Sequence, residues 1–328
     1  MPRKDYEEIK NDFSEFVSVF RNKDTSVLKD FIEPEVKVYL STAKDYADGS
    51  QHTLFGVENF FKDMVKTDFF HTRICNFVCR IKENEAQQAA HVVCQVGQYG
   101  KEVKYFCFDA MFSNHWSKKD DAWKMDEIRM DLLKEEGNFP EFEEQWHFED
   151  KKAVWYEGVH FPCISGEFDS PWHRIKEAED VLTDEEKCYE AMARYAFGID
   201  HLTFDEILDA TTDDVIADIE PWGSMDKRSW IVFLKYHRQK ERHWGHCVFP
   251  SSITINKDEA EMKMYRMMGH RQRVHPYVYT NENVDIEHAC AFYQVKLKKE
   301  GAAWKIKRCN YYLGLVELGP YADESRIA

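Results

Sequence analysis

Basic charge is in short supply in this chain, and the signatures of the common cofactor and metal enzymes are missing. Against 60 Asp and Glu stand 44 Lys and Arg, a formal net charge of -16. Long-range electrostatics therefore repels nucleic acid and anionic membranes, and neither is expected as a partner. No run of about eighteen apolar residues occurs, which argues against a membrane-spanning helix. The opening MPRKDYEEIKNDF turns acidic at once and lacks the apolar core of a secretion signal. The expectation is a soluble, cytoplasmic protein. The nine cysteines contain no C-x-x-C pair, against both a disulfide framework and a zinc knuckle. They read as small buried hydrophobes in a reducing compartment, with a nucleophilic role open only for Cys247, beside two histidines. A Gly-rich phosphate loop, a nucleophile elbow and a zincin motif are all absent. No metal and no organic cofactor is called for.

What is present is length, aromatic content and an internal repeat. A chain of 328 residues is long for one domain, and 15% aromatic residues is enough to line large apolar cavities. KKDDAWKM (118–125) matches KKEGAAWKI (298–306), a charged turn leading into a strand with Trp123 in one copy and Trp304 in the other. Each is preceded by an aromatic strand, KYFCFDAMF (104–112) and HACAFYQVKL (288–297). RIKENEAQQAAHVV (80–93) matches ITINKDEAEMKMYR (253–266), and SVLKDFIEPEVKVYL (26–40) answers FDEILDATTDDVIADI (204–219). One domain is thus duplicated. Each copy reads as helix, short helix, strand, helix and four long strands in consecutive hairpins, an α+β pattern in which a curved antiparallel sheet wraps about three helices. The expected division is 1–134, an ordered aromatic-rich linker 135–182 with Trp146, Trp155 and Trp172, and 183–328. The second copy opens on a capping box, Thr183 to Glu186.

ERHWGHCVFP (241–250) holds two histidines ahead of a strand. If the turn after Ile255 pairs that residue with Ala260, one face collects Cys247, Phe249, Ile253 and Ile255 with Ala260, Met262, Met264 and Met268. His243 and His270 share that apolar face, whereas His246 has the opposite parity. A bulge near Gly245 would exchange the two neighbours. Paired imidazoles in an apolar cup suit proton transfer at neutral pH; the plainer alternative is two buried histidines bonded to backbone. Near the end of the opening helix, ARYAFGIDHLTFDEI places Tyr195 and Asp200. A carboxylate there opposes the helix dipole unless it is recruited, for instance to orient an imidazole.

These residues carry a resemblance. The repeat resembles the nuclear transport factor 2-like, cone-shaped α+β family, which includes ketosteroid isomerase, SnoaL-like cyclases, scytalone dehydratase and bile acid 7-alpha-dehydratase. NKDEAEMKMYRMMGHRQR, with His270, resembles the strand supplying a catalytic histidine in scytalone dehydratase; YAFGID and HWGH resemble the tyrosine-to-aspartate helix and the paired-histidine segment of the bile acid enzyme. The resemblance implies His243, His270, Asp200 and Tyr195 as catalytic residues. His246, Met268, Tyr293, Phe249 and Met264 fall to the substrate side. Departures are Met268 in place of a second aspartate, Tyr293 in place of an asparagine and Ile199 in place of a tyrosine.

The first copy has Phe16 and Arg21 where the second has Tyr195 and Asp200, and Val96 or Gln95 for His270; only its His71 lies near the paired histidines. It reads as non-catalytic. The implied activity is a cofactor-independent dehydratase or isomerase for a small apolar hydroxy-ketone or ring compound, steroid-like or polyketide-like, in a chain that associates through its sheet faces. Three rivals are a metal hydrolase using His243, His246 and His270, whose first two side chains would point to opposite faces of a strand; an epoxide hydrolase, for which no Asp-Arg-Asp set is found; and a hydrophobic-ligand binder or scaffold.

Overall fold

The computed structural model describes residues 2–41, 53–62, 64–146, 163–240, 245–267 and 278–321. Chain contacts divide it into two units, the first comprising Met1–Val181 and Tyr279–Val284, and the second Leu182–Val278 and Asp285–Ala322. No helix among the described residues is long and apolar enough to cross a membrane.

The first unit opens with α1 (Pro2–Asn22), whose Tyr6, Ile9, Phe13, Phe16, Val17 and Phe20 recur at helical spacing and are buried. The short α2 (Leu28–Phe31) leads into β1 (Ile32–Leu40), and α3 (Leu54–Lys62) precedes four long strands. These are β2 (Phe69–Lys82), β3 (Glu85–Gln98), β4 (Lys104–Lys119) and β5 (Ala122–Asn138), in the order β1-β5-β4-β3-β2. Pro34, which cannot donate to a ladder, sits on the edge strand β1, where the register slips between Ile32 and Lys37. Aromatic side chains fill the core edge to face: Phe13 meets Phe112 at 5.5 Å and Phe20 meets Phe61 at 5.0 Å between centroids.

The residues expected to form a linker behave differently where they are described. β5 runs on to Asn138, beyond the expected boundary at 134. α4 (Pro140–Trp146) then buries Phe142 and Trp146, with Trp146 5.2 Å from Phe108. The short helices α5 (Gly166–Asp169) and α6 (Pro171–Arg174) and the stretch to Val181 belong to the first unit too. Burial of two large rings gives the segment after 134 its place in that core.

The second unit repeats the plan with α7 (Asp184–Asp200), α8 (Phe204–Asp209), β6 (Thr211–Ile219), a short extra strand β7 (Gly223–Asp226) and α9 (Lys227–Lys240). Then come β8 (Val248–Asn256), β9 (Glu259–Met267), β10 (Ile286–Glu300) and β11 (Ala303–Pro320), in the order β7-β6-β11-β10-β9-β8. Each sheet is mixed, because β1 pairs with β5, and β6 with β11, in parallel. The fold is α+β with two such sheets, and this one parallel pair in each departs from the all-antiparallel expectation. The first strand and the last are joined through a helix and three strands in the first unit, and a helix and four in the second, so nothing forces them to run in opposite senses.

The duplication recurs in detail. Asp5, in the first turn of α1, accepts from Lys118 Nζ at 2.7 Å and Trp123 Nε1 at 3.1 Å. Asp184, in the first turn of α7, accepts from Lys299 Nζ at 2.8 Å and Trp304 Nε1 at 2.9 Å. In both copies a helix N-terminus, where a carboxylate is favoured, is stapled to the last hairpin. Hairpin registers agree as well: Lys118 faces Trp123 as Lys299 faces Trp304, and Val92 faces Ala110 as Arg266 faces Ala291.

Candidate active site

Three features place Asp200. The capping box forms, with Thr183 Oγ1 accepting from Glu186 N and Glu186 Oε2 from Thr183 N, so α7 starts where its sequence says. At its far end a Cβ on Gly198 would lie 2.7 Å from Ile207 Cγ1 and 2.9 Å from Thr203 O. Only glycine lets α8 pack this close, and the approach fixes the last turn of α7. Arg238 then donates to the Asp200 carbonyl at 2.9 Å, setting a cation at the negative end of the helix.

The imidazole that Asp200 engages is that of His246. Asp200 Oδ1 lies 2.6 Å from His246 Nδ1, and Oδ2 accepts from the His246 backbone N–H at 2.7 Å. Both side chains are nearly closed to solvent, 4% exposed for His246 and 0% for Asp200. Among the described residues His246, expected on the substrate side, is thus the imidazole at Asp200, and the reason it faces inward is a single-residue irregularity. Facing residues follow the expected pairing from Ile255 opposite Ala260 as far as Ser252 opposite Lys263, then slip, so that Pro250 faces Met264 and Val248 faces Arg266. The extra residue at Ser251 reverses parity for the strand residues 248–250 before it. The strand thus carries Val248 and, two residues earlier, His246 toward the helices. The irregularity lies at Ser251 rather than near Gly245, and it turns His246 inward. The first unit slips at the equivalent place, between Cys75 and Val78.

The same slip corrects Phe249 and Cys247. Phe249 faces Tyr265, which places both residues on the side of the sheet away from Met264, so Phe249 is not part of the cup. Met264 and Tyr293 do point inward, into the cluster with Tyr195, Val248 and Trp230. His243, His270 and Met268 lie outside the described residues.

Tyr195 stands edge-on to His246 at 6.4 Å and 5.0 Å from Trp230, and Tyr293 meets Tyr311 at 4.8 Å. Burial, and then each phenol's neighbours, hold Tyr195 and Tyr293 well above the ordinary phenol range, with Arg266 opposing. They remain hydroxyl donors at neutral pH. Tyr189 donates to the Val248 carbonyl at 3.0 Å, tying α7 to β8 close to His246.

Arg266 is the residue sequence reasoning missed. It continues the inward row Ala260, Met262, Met264, facing Val248 and Ala291. Its Nη2 donates to the Gly245 carbonyl at 3.0 Å and its Nη1 to the Tyr311 hydroxyl at 3.1 Å. Burial opposes its charge, but Tyr311, Cys290, Tyr293 and Asp200 outweigh that, and it stays firmly protonated. The signal was available, since a cation sat in an apolar register. Burial first, then Arg266, push His246 down to about 4, against the pull of Asp200. The imidazole is therefore neutral at neutral pH: Nδ1–H donates to Asp200, and Nε2 is the atom able to take a proton.

Residues 180–310 match the family model of the SnoaL-like domain. The second unit is a SnoaL-like domain, and the first repeats its order of elements. No curated protein sequence matches the chain. Similar solved structures include a protein from Kribbella flavida, 13% identical with a TM-score of 0.36, over 42% of this chain and 96% of that one. A protein with a cystatin-like fold from Nostoc punctiforme is 20% identical, TM-score 0.31, covering 40% of this chain and 94% of its own. A hexachlorocyclohexane dehydrochlorinase from Novosphingobium barchaimii is 10% identical, TM-score 0.33, covering 41% and 89%.

Proposed function

We propose that the second unit is a cofactor-independent lyase, a dehydratase, or an isomerase that works by proton transfer beside a carbonyl, with His246 in the role expected of His243. The observation that supports this most is the two-point grip of Asp200 on His246. It selects the tautomer with the proton on Nδ1 and leaves Nε2 as base, and the carboxylate stabilises the imidazolium that forms. Tyr195 and Tyr293, held protonated, supply hydrogen bonds to an enolate or departing oxygen. Arg266 positions the loop through Gly245 and lends positive potential. As enolate charge develops, it offsets the Arg266 field that depresses His246, so the base strengthens as the proton moves. In a dehydration the same imidazolium returns the proton to a β-hydroxyl, which leaves as water. The inward Met262, Met264 and Trp230 suit an apolar hydroxy-ketone or ring substrate.

The test is a panel of such compounds followed by ultraviolet absorbance for new conjugation. His246→Ala should lower kcat about 100- to 10,000-fold. In the parent, kcat/KM should stay level from neutral pH downward and fall with a midpoint near 4, rather than at the ordinary histidine value of about 6.5. Full turnover by His246→Ala would refute the assignment. A hydrophobe that binds and is recovered unchanged would favour the ligand-binding alternative.

A further inference from the structure

The first unit keeps a pocket where the second has its polar cluster, and every acid–base group has been exchanged. The Asp5 and Asp184 staples and the shared hairpin registers make the equivalences position by position. Phe16 stands for Tyr195, Arg21 for Asp200, Thr72 for His246, Val92 for Arg266, Phe112 for Tyr293 and Met130 for Tyr311. Phe16, Phe112 and Met130 line a cavity of about 310 Å³ between α1, α3 and the sheet. Among the described residues that line it none is titratable, and their only side-chain polar groups are the amides of Asn59 and Gln145.

We propose that this cavity is a second ligand site, for a small neutral apolar molecule that is bound but not transformed. Its floor is formed by the buried Phe16, Phe20, Phe61 and Phe112, and it opens where Leu40, Gly56, Asn59 and Gln145 are half-buried. A space of this size amid phenylalanines, room for about ten water-sized groups, suits an occupant of one or two rings. Charge is selected against, because an ionised group held against the buried phenylalanines would find no counter-ion among the described lining residues. The Gln145 oxygen already accepts from the Val65 N–H at 2.5 Å; the Asn59 amide supplies a hydrogen bond to a single hydroxyl or carbonyl. The site does not depend on any chemistry in the second unit.

Calorimetric titration of the full chain with 1-naphthol tests it. The parent should bind with a component that Met130→Trp, which fills the cavity, removes. 1-Naphthoate should bind that component about 100-fold more weakly. An unchanged isotherm in folded Met130→Trp, or no binding by the parent, overturns the proposal. If circular dichroism shows Met130→Trp misfolded, Asn59→Leu decides. It should weaken 1-naphthol about 2- to 10-fold and leave naphthalene unaffected; equal 1-naphthol affinity overturns it.

Discussion

Replacing Asp200 separates a structural carboxylate from one that sets a tautomer. Two donors converge on it, the His246 backbone N–H at 2.7 Å and the ring Nδ1 at 2.6 Å. Asp200→Ala leaves both without an acceptor in a site closed to water. A hydrogen bond to a charged group contributes about 1.5–3 kcal/mol, and an unmet buried donor costs about 1–3 kcal/mol. A loss of about 3–5 kcal/mol follows, comparable with breaking a buried charged pair from one side. Asp200→Asn is milder. Its one oxygen can keep the backbone N–H, and its NH2 then meets Nδ1, which must give up its proton to Nε2. That exchange retains the contact at a cost of about 1–2 kcal/mol but turns the would-be base into a donor. Urea denaturation should therefore place the alanine midpoint about 1–2 M below the parent, with the asparagine variant between them. Long-range proton–nitrogen NMR should show His246 protonated on Nδ1 in the parent and on Nε2 in Asp200→Asn. A parent protonated on Nε2 at neutral pH, or an alanine variant within about 0.5 kcal/mol of the parent, would refute the reasoning.

Two further outcomes follow from single positions. Gly198→Ala forces a methyl to within 3 Å of Ile207 and the Thr203 carbonyl, so stability should fall by about 1–3 kcal/mol in a melt, and activity should fall with it as Asp200 shifts. Asp12 is raised to about 7, first by burial and then by Glu8 and Glu15. The folded state holds that proton more tightly than the unfolded one, so ionisation costs stability that grows from about pH 4 and is complete above pH 7. Asp12→Asn should add about 1–2 kcal/mol at pH 8, discounted for partial exposure, and nothing near pH 4. A constant gain across that range would show that charge is not the cause.

The duplication, the α+β order and the capped start of α7 were legible in the sequence, because helical and strand periods, turn residues and caps act over a few neighbours. The anomaly of a carboxylate at the end of α7 was legible for the same reason. Arg266 was legible and passed over: Ala260, Met262 and Met264 set an apolar parity, and the next inward residue is a cation. That His246 meets Asp200 was not. Strand alternation counts faithfully only until one residue is inserted, and Ser251 carries no local mark of its bulge; packing of β8 on β9 and of Tyr189 on Val248 places it. Likewise the place of 135–146 came from Phe142 and Trp146 finding the core of the first unit, a contact between residues distant in the chain. Periodicity along the chain determined the parts and their repetition, whereas the tertiary structure alone decided that His246 turned inward, because one inserted residue reverses a face and only packing says where it goes.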